Sequence, residues 1–99
     1  MTPILNRSHE MPACELTIPN EDGLHARPAA KFVKLASRFK SEVWVEKDDE
    51  EINGKSIMGL MMLAAAQGSV IRISAEGDDA DIALQSLSKL VESGFEADC

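Results

Sequence analysis

The chain has 99 residues, 44% of them hydrophobic and 27% charged, with a formal net charge of −7. That length makes one domain able to bury a core without disulfide or metal staples, and the acidic balance argues against nucleic acid, whose phosphates need a basic face. The longest apolar run, residues 57–66, has ten residues, against about 20 needed to span a bilayer.

Residues 1–12 hold two prolines and no periodicity, and are expected to form a flexible arm before a domain at 13–96. The first ten residues lack the apolar stretch of a secretory signal. His9 lies in this arm without a neighbouring arginine or carboxylate partner and is read as solvated. "CELTI" then alternates, with Cys14, Leu16 and Ile18 on one face, as a half-buried strand does. Residues 19–23 make a turn that contains Glu21 and Asp22. From Ala26 the period changes. Ala29, Phe32, Val33 and Ala36 follow helical spacing, with Leu35 and Phe39 widening the stripe. Pro28 fits because it falls in the first turn.

"SEVWVEK" alternates again, with Val43 and Val45 inward and Trp44 on the opposite, partly exposed face. Residues 48–51 are acidic and suit a hairpin turn, followed by a return strand over 51–53. A second helix is expected to start near Ser56 and to end by Gly68. "SVIRISA" is the last strand, with Ile71, Ile73 and Ala75 on one side. Gly77 breaks the chain, and Asp78 is placed to cap a final helix with a core stripe of Ala80, Ala83, Leu84, Leu87, Leu90 and Val91. Gly94 suits its end. The order β-α-β-β-α-β-α, with one apolar face per strand, is satisfied by a single four-stranded sheet, antiparallel or mixed. Its helices cover one side and its other side faces water.

The chemistry concentrates at His25. The first turn of a helix offers free N–H groups and the positive end of the helix dipole, which together favour an anion. A neutral imidazole there can act as a nucleophile. A phosphoryl group bound to it would land on those N–H groups, with Arg27 near enough to add charge-assisted hydrogen bonds. The plainer alternative is that His25 is an N-cap or turn residue and Arg27 a solvated charge. Ser56 is read as the N-cap of the second helix. "GKS" at 54–56 is not a nucleotide-binding loop, because Asp49 stands where that pattern needs glycine.

The helix after Ser56 has little polar surface. Leu60 and Leu63 are core candidates; Ile57, Met58 and Met61 are docking candidates, since methionine suits a surface that fits several partners. Charge is segregated as well. Arg27, Lys31, Lys34, Arg38 and Lys40 make the first helix basic, while six carboxylates fall within 42–51 and seven within 76–98. Lys31 and Lys34 are therefore candidates for steering acidic partners. Cys14 falls on an apolar face and Cys99 is terminal. They share no motif spacing, so neither metal nor cofactor is expected, and the reducing cytoplasm is the expected setting.

"GLHARPAAKFV" resembles the phosphohistidine signature of the HPr family, the histidine-containing phosphocarriers of the bacterial phosphotransferase system. "NGKSIMGLMMLAA" resembles the family's second signature, around a regulatory serine. "VIRISAEGDDADIAL" resembles its last strand and the start of its last helix. The likeness covers residues 13–95. The tail "ESGFEAD" is similar to the nitrogen-related paralogue, NPr. Family chains start near the place of Met11, so residues 1–10 are either an addition or an upstream start.

The resemblance implies an α+β, open-faced β-sandwich with an antiparallel four-stranded sheet and three helices on one face. It implies that His25 takes a phosphoryl group on Nδ1 from Enzyme I and passes it to EIIA-type acceptors, with Arg27 steadying the phosphate. It further implies that Ser56 is a target of HPr kinase/phosphorylase. Such a protein is a monomeric carrier in sugar transport or its regulation, with no small-molecule turnover of its own, no cofactor and no membrane insertion. Two other classes are weighed beside it. One is an adaptor that docks through the Ser56 helix; the other is a small-molecule-sensing domain, because this element order does not fix function.

Overall fold

The alternating and helical patterns decide the architecture. The structure, a computed structural model, describes residues 12–96. Strands β1 (Ala13–Thr17), β2 (Glu42–Lys47), β3 (Glu50–Asn53) and β4 (Val70–Glu76) are joined by helices α1 (Ala26–Ala36) and α2 (Ile57–Met62), and α3 (Ala80–Glu92) follows the last strand. The sheet order is β1-β4-β2-β3, and all three neighbouring pairs are antiparallel. The open-faced α+β arrangement is the expected one.

The inward residues of the two central strands, Val43, Val45, Ile71, Ile73 and Ala75, are at most 1% exposed. Phe32 and Ala29 of α1, Leu60 of α2 and Leu87, Leu90 and Val91 of α3 close over them in one core. Fully burying each large apolar side chain contributes about 1.5–3 kcal/mol. The exposed Lys47–Asp48 ion pair (3.0 Å) is of a kind that contributes about 0–1 kcal/mol, so apolar packing dominates. On the open face, Trp44 is half-buried and lies in register between Ser74 and Asn53. Arg72 lies in register between Glu15 and Glu46, an arrangement of opposite charges that favours this pairing. Cys14 packs against the core, with Sγ 3.1 Å from Ser88 Oγ.

Three local expectations are revised. The hairpin turn is only Asp48 and Asp49, both left-handed (φ 52° and 71°), so β3 begins at Glu50. A two-residue loop of this hand matches the sheet twist. Helix α2 stops at Met62, because the chain beyond it has other hydrogen bonds to make. Ala64 turns left-handed (φ 53°), Ala65 O accepts from Leu24 N–H, and Gly68 N–H donates to Ile18 O at 2.8 Å.

The third revision concerns the final helix. Asp79, not Asp78, holds its N-cap position, and its side chain makes no capping bond. Its carboxylate reaches across instead, accepting from Lys40 N–H (2.9 Å), Ser41 N–H (3.0 Å) and Ser41 Oγ–H. This latch also explains why α1 ends at Ala36, short of Phe39. Residues 38 and 39 tighten into i→i−3 turns that deliver Ser41 to Asp79, while Phe39 still packs on the core. Gly77 makes room: a Cβ there would lie 2.5 Å from Ser41 Oγ. Of the expected arm, residues 1–11, with His9, lie outside the described residues, as does Cys99. Pro12 O accepts from Ala75 N–H at 3.1 Å and so belongs with the sheet. Among the described residues, no helix is long and apolar enough to cross a membrane.

The Ser41 hydroxyl, then the Lys40 N–H, hold the Asp79 carboxyl below its ordinary value of 3.8. The latch therefore stabilises the fold fully above about pH 4 and loses that contribution as pH falls through the lowered folded-state value. Asp79→Asn is expected to melt at a lower temperature than wild type at pH 7, and the gap is expected to narrow below pH 4. Thermal melts followed by circular dichroism across pH 2.5–7 check this.

Candidate functional site

The site is built where two loops meet. Residues 20–23 form a turn closed by Gly23 N–H on Asn20 O (3.1 Å) and by Asn20 Nδ2 on Gly23 O (2.9 Å). Leu24 N–H donates to Ala65 O at 2.9 Å, tying this turn to the segment after α2. Gly23 is left-handed (φ 64°), and a Cβ on it would lie 2.3 Å from Ala65 O. Only glycine satisfies both demands.

His25 follows, at the N-cap position of α1. Its carbonyl accepts the first helical bond, from Ala29 N–H at 2.9 Å, and its side chain makes no capping bond. His25 thus holds the N-cap position, as the plainer reading has it, and its ring is not used up in capping the helix. Its ring is exposed and available. Ala26 and Arg27 precede the first i→i−4 donor, so their N–H groups lack intrahelical acceptors, and Pro28 has no N–H to leave unsatisfied. The first turn carries no acidic residue. An anion held by the ring therefore meets backbone donors and the positive end of the dipole.

Two depressions flank this point. His25 lines one of about 280 Å³ with Leu24, Met61, Ala65 and Asp22. Arg27 lines the other, about 260 Å³, with Lys31, Glu21, Asp22 and Phe95. The exposed Arg27 thus sits beside the C-terminal end of α3, outside the depression that holds His25. Lys31 is half-buried, and its Nζ donates to Phe95 O at 2.9 Å, so it tethers that end of α3. Lys34 is exposed.

Ser56 is the N-cap of α2, as expected, and its Oγ accepts from Gly59 N–H at 3.0 Å. Lys55 Nζ donates to Phe39 O at 2.8 Å and fixes this end of α2 against the turn after α1. Leu60 and Leu63 are core, at 0% and 3% exposed. Ile57, Met58 and Met61 are exposed at 42%, 73% and 43%. Met62, also 73% exposed, belongs with them. Its place on the open side becomes visible only once the helix axis is known. At about 1.5 Å per residue, Ser56 and the His25 depression lie at opposite ends of α2, and Met61 reaches the latter. Asp22 is the other residue the sequence pattern passes over, since a turn carboxylate carries no spacing signal.

A family model described as the PTS HPr component phosphorylation site matches residues 13–93. The chain belongs to the HPr family. It is 54% identical over 80 residues to the phosphocarrier protein HPr of Neisseria meningitidis, covering 81% of this chain and 90% of that one. It is 50% identical over 70 residues to the HPr-like protein Crh of Bacillus subtilis, covering 71% and 82% respectively. The crystal structure of HPr from Thermoanaerobacter tengcongensis superposes with a TM-score of 0.85 at 50% identity, covering 90% of this chain and all of that one. The general role of a phosphocarrier in the bacterial phosphotransferase system follows from the family.

The loop contact makes a local demand that can be measured. Gly23→Ala adds a left-handed penalty of about 1–2 kcal/mol to a collision with Ala65 O. The expected result is a loss of at least about 1 kcal/mol in urea denaturation, with the amide of Leu24 exchanging faster in hydrogen-exchange NMR.

Proposed function

We propose that His25 accepts a phosphoryl group on Nδ1 from phospho-Enzyme I and passes it to EIIA-type acceptors, in the cytoplasm and as a monomer. The observation that supports this most is an exposed histidine at the N-cap of α1, its side chain making no capping bond, directly before the unsatisfied N–H groups of Ala26 and Arg27. In each transfer a bond from Nδ1 to phosphorus forms as the donor's bond to phosphorus breaks, and the reverse occurs at the acceptor. The backbone donors bear the phosphoryl charge. Arg27 would swing from its place beside Glu21 and Phe95 to contact the phosphoryl oxygens. Lys34 and the exposed face of α2 would meet the partner: a basic strip for acidic surfaces, and flexible thioethers for several different ones. Lys31, held by Phe95 O, would contribute less.

Ser56 would be the regulatory position, acted on by HPr kinase/phosphorylase. Its hydroxyl already faces the N-terminus of α2, where added negative charge is tolerated, and a phosphate there would change the surface that partners meet. The second reading, a regulatory adaptor working through α2, is favoured by the run of exposed apolar side chains and by the likeness to Crh.

Incubation with labelled phosphoenolpyruvate and Enzyme I separates the two. Wild type is expected to take up acid-labile, base-stable label, and His25→Ala to take up none while keeping its melting temperature. On the adaptor reading, Met58→Glu abolishes function in the cell and His25→Ala spares it.

A further inference from the structure

Asp22 is the one residue that lines both depressions, the one holding His25 and the one holding Arg27. Its place is fixed by neighbours on both sides. The turn is closed by Gly23 N–H on Asn20 O, and the next residue is pinned by Leu24 N–H on Ala65 O. Its carboxylate is exposed and takes no hydrogen bond among the described residues. Among the described residues it is thus neither a turn-forming group, a role that Asn20 fills, nor the partner of a stabilising cation. It presents a negative charge, unpaired among the described residues, at the rim of the site where an anion would sit.

We infer that Asp22 weakens the hold of this site on a phosphoryl group by repelling it, and so sets how readily the group is passed on. This inference rests on the carrier reading of His25. The N–H groups of Ala26 and Arg27 pull on the bound dianion, while the carboxylate three residues before the ring pushes against it. A carrier must release what it takes, and a site with only attractive groups would keep the phosphoryl group. During transfer the bond from Nδ1 to phosphorus breaks as the acceptor's bond forms, and the imidazole recovers its lone pair. Asp22 forms no bond in the step and acts only through its charge. For unit charges about 4 Å apart in water the effect is about fivefold in equilibrium constant, and ionic strength weakens it.

The test is a competition. Equal amounts of wild type and Asp22→Asn are mixed with catalytic Enzyme I, pyruvate and limiting labelled phosphoenolpyruvate at one fixed pH. The share of label on each chain is read by mass spectrometry at equilibrium. Asn keeps the shape of the side chain and removes its charge. The expected result is about fivefold more label on Asp22→Asn at low salt, falling towards equal shares at about 1 M salt. Asp22→Glu, which keeps the charge, and Glu50→Gln, an exposed carboxylate of β3 that lines neither depression, are both expected to share equally with wild type. Equal labelling of wild type and Asp22→Asn at low salt overturns the role of Asp22, as does an excess that 1 M salt leaves unchanged. Absence of label from every chain overturns the carrier reading itself.

Discussion

The contact between Leu24 N–H and Ala65 O, with Gly23 lying against the same carbonyl, is the constraint on which the site depends. The histidine loop and the segment after α2 come from distant parts of the chain and from opposite ends of their elements. Joined there, they place the His25 ring at the first turn of α1 and beside Met61. Without that join the loop would be an ordinary surface connection, free to carry the ring away from the helix axis. The left-handed conformation of Ala64 and the early end of α2 belong to the same arrangement. The helix gives up its last turn so that the Ala65 carbonyl can point at Leu24.

Electrostatics then give the site its character in a chain that is acidic overall. The carboxylates are concentrated away from the start of α1, in the β2–β3 hairpin and in and after β4. The first turn of α1 itself contains no acidic side chain. Asp79 spends its charge on the loop at Lys40 and Ser41. Lys31 and Lys55 spend theirs on backbone carbonyls that tie the helix ends down. Beside His25 stand Arg27 and Asp22, with Glu21 sharing the depression of Arg27.

The features legible in the sequence are those that local periodicity dictates. The core stripe of α3 is the expected one, residue for residue, and so are the inward positions of β2 and β4. The place of His25 at the start of α1 is legible because the helical period begins just after it and Pro28 fits a first turn, while its reading as a phosphoryl acceptor comes from the resemblance of the motif to the HPr family. The illegible features depend on long-range hydrogen bonds. Asp78 and Asp79 are equivalent as sequence candidates for a cap, and only the approach of Ser41 past Gly77 selects Asp79 for another task. Lys31 looked like a free steering charge until the end of α3 arrived over it. Arg27, adjacent in sequence to the site, turns toward a different depression from that of His25. Sequence spacing fixes the Cα and leaves the direction of a long side chain to its neighbours.

The central claim is that His25 carries a phosphoryl group which the first turn of α1 supports. The most direct measurement is NMR of the uniformly labelled chain before and after phosphorylation, recording the phosphorus coupling to ring nitrogens and the backbone amide shifts. The account predicts phosphorus on Nδ1 of His25, with the largest amide shifts at Ala26 and Arg27. Phosphorus on any other residue, or on His25 with the Ala26 and Arg27 amides unmoved, would contradict it.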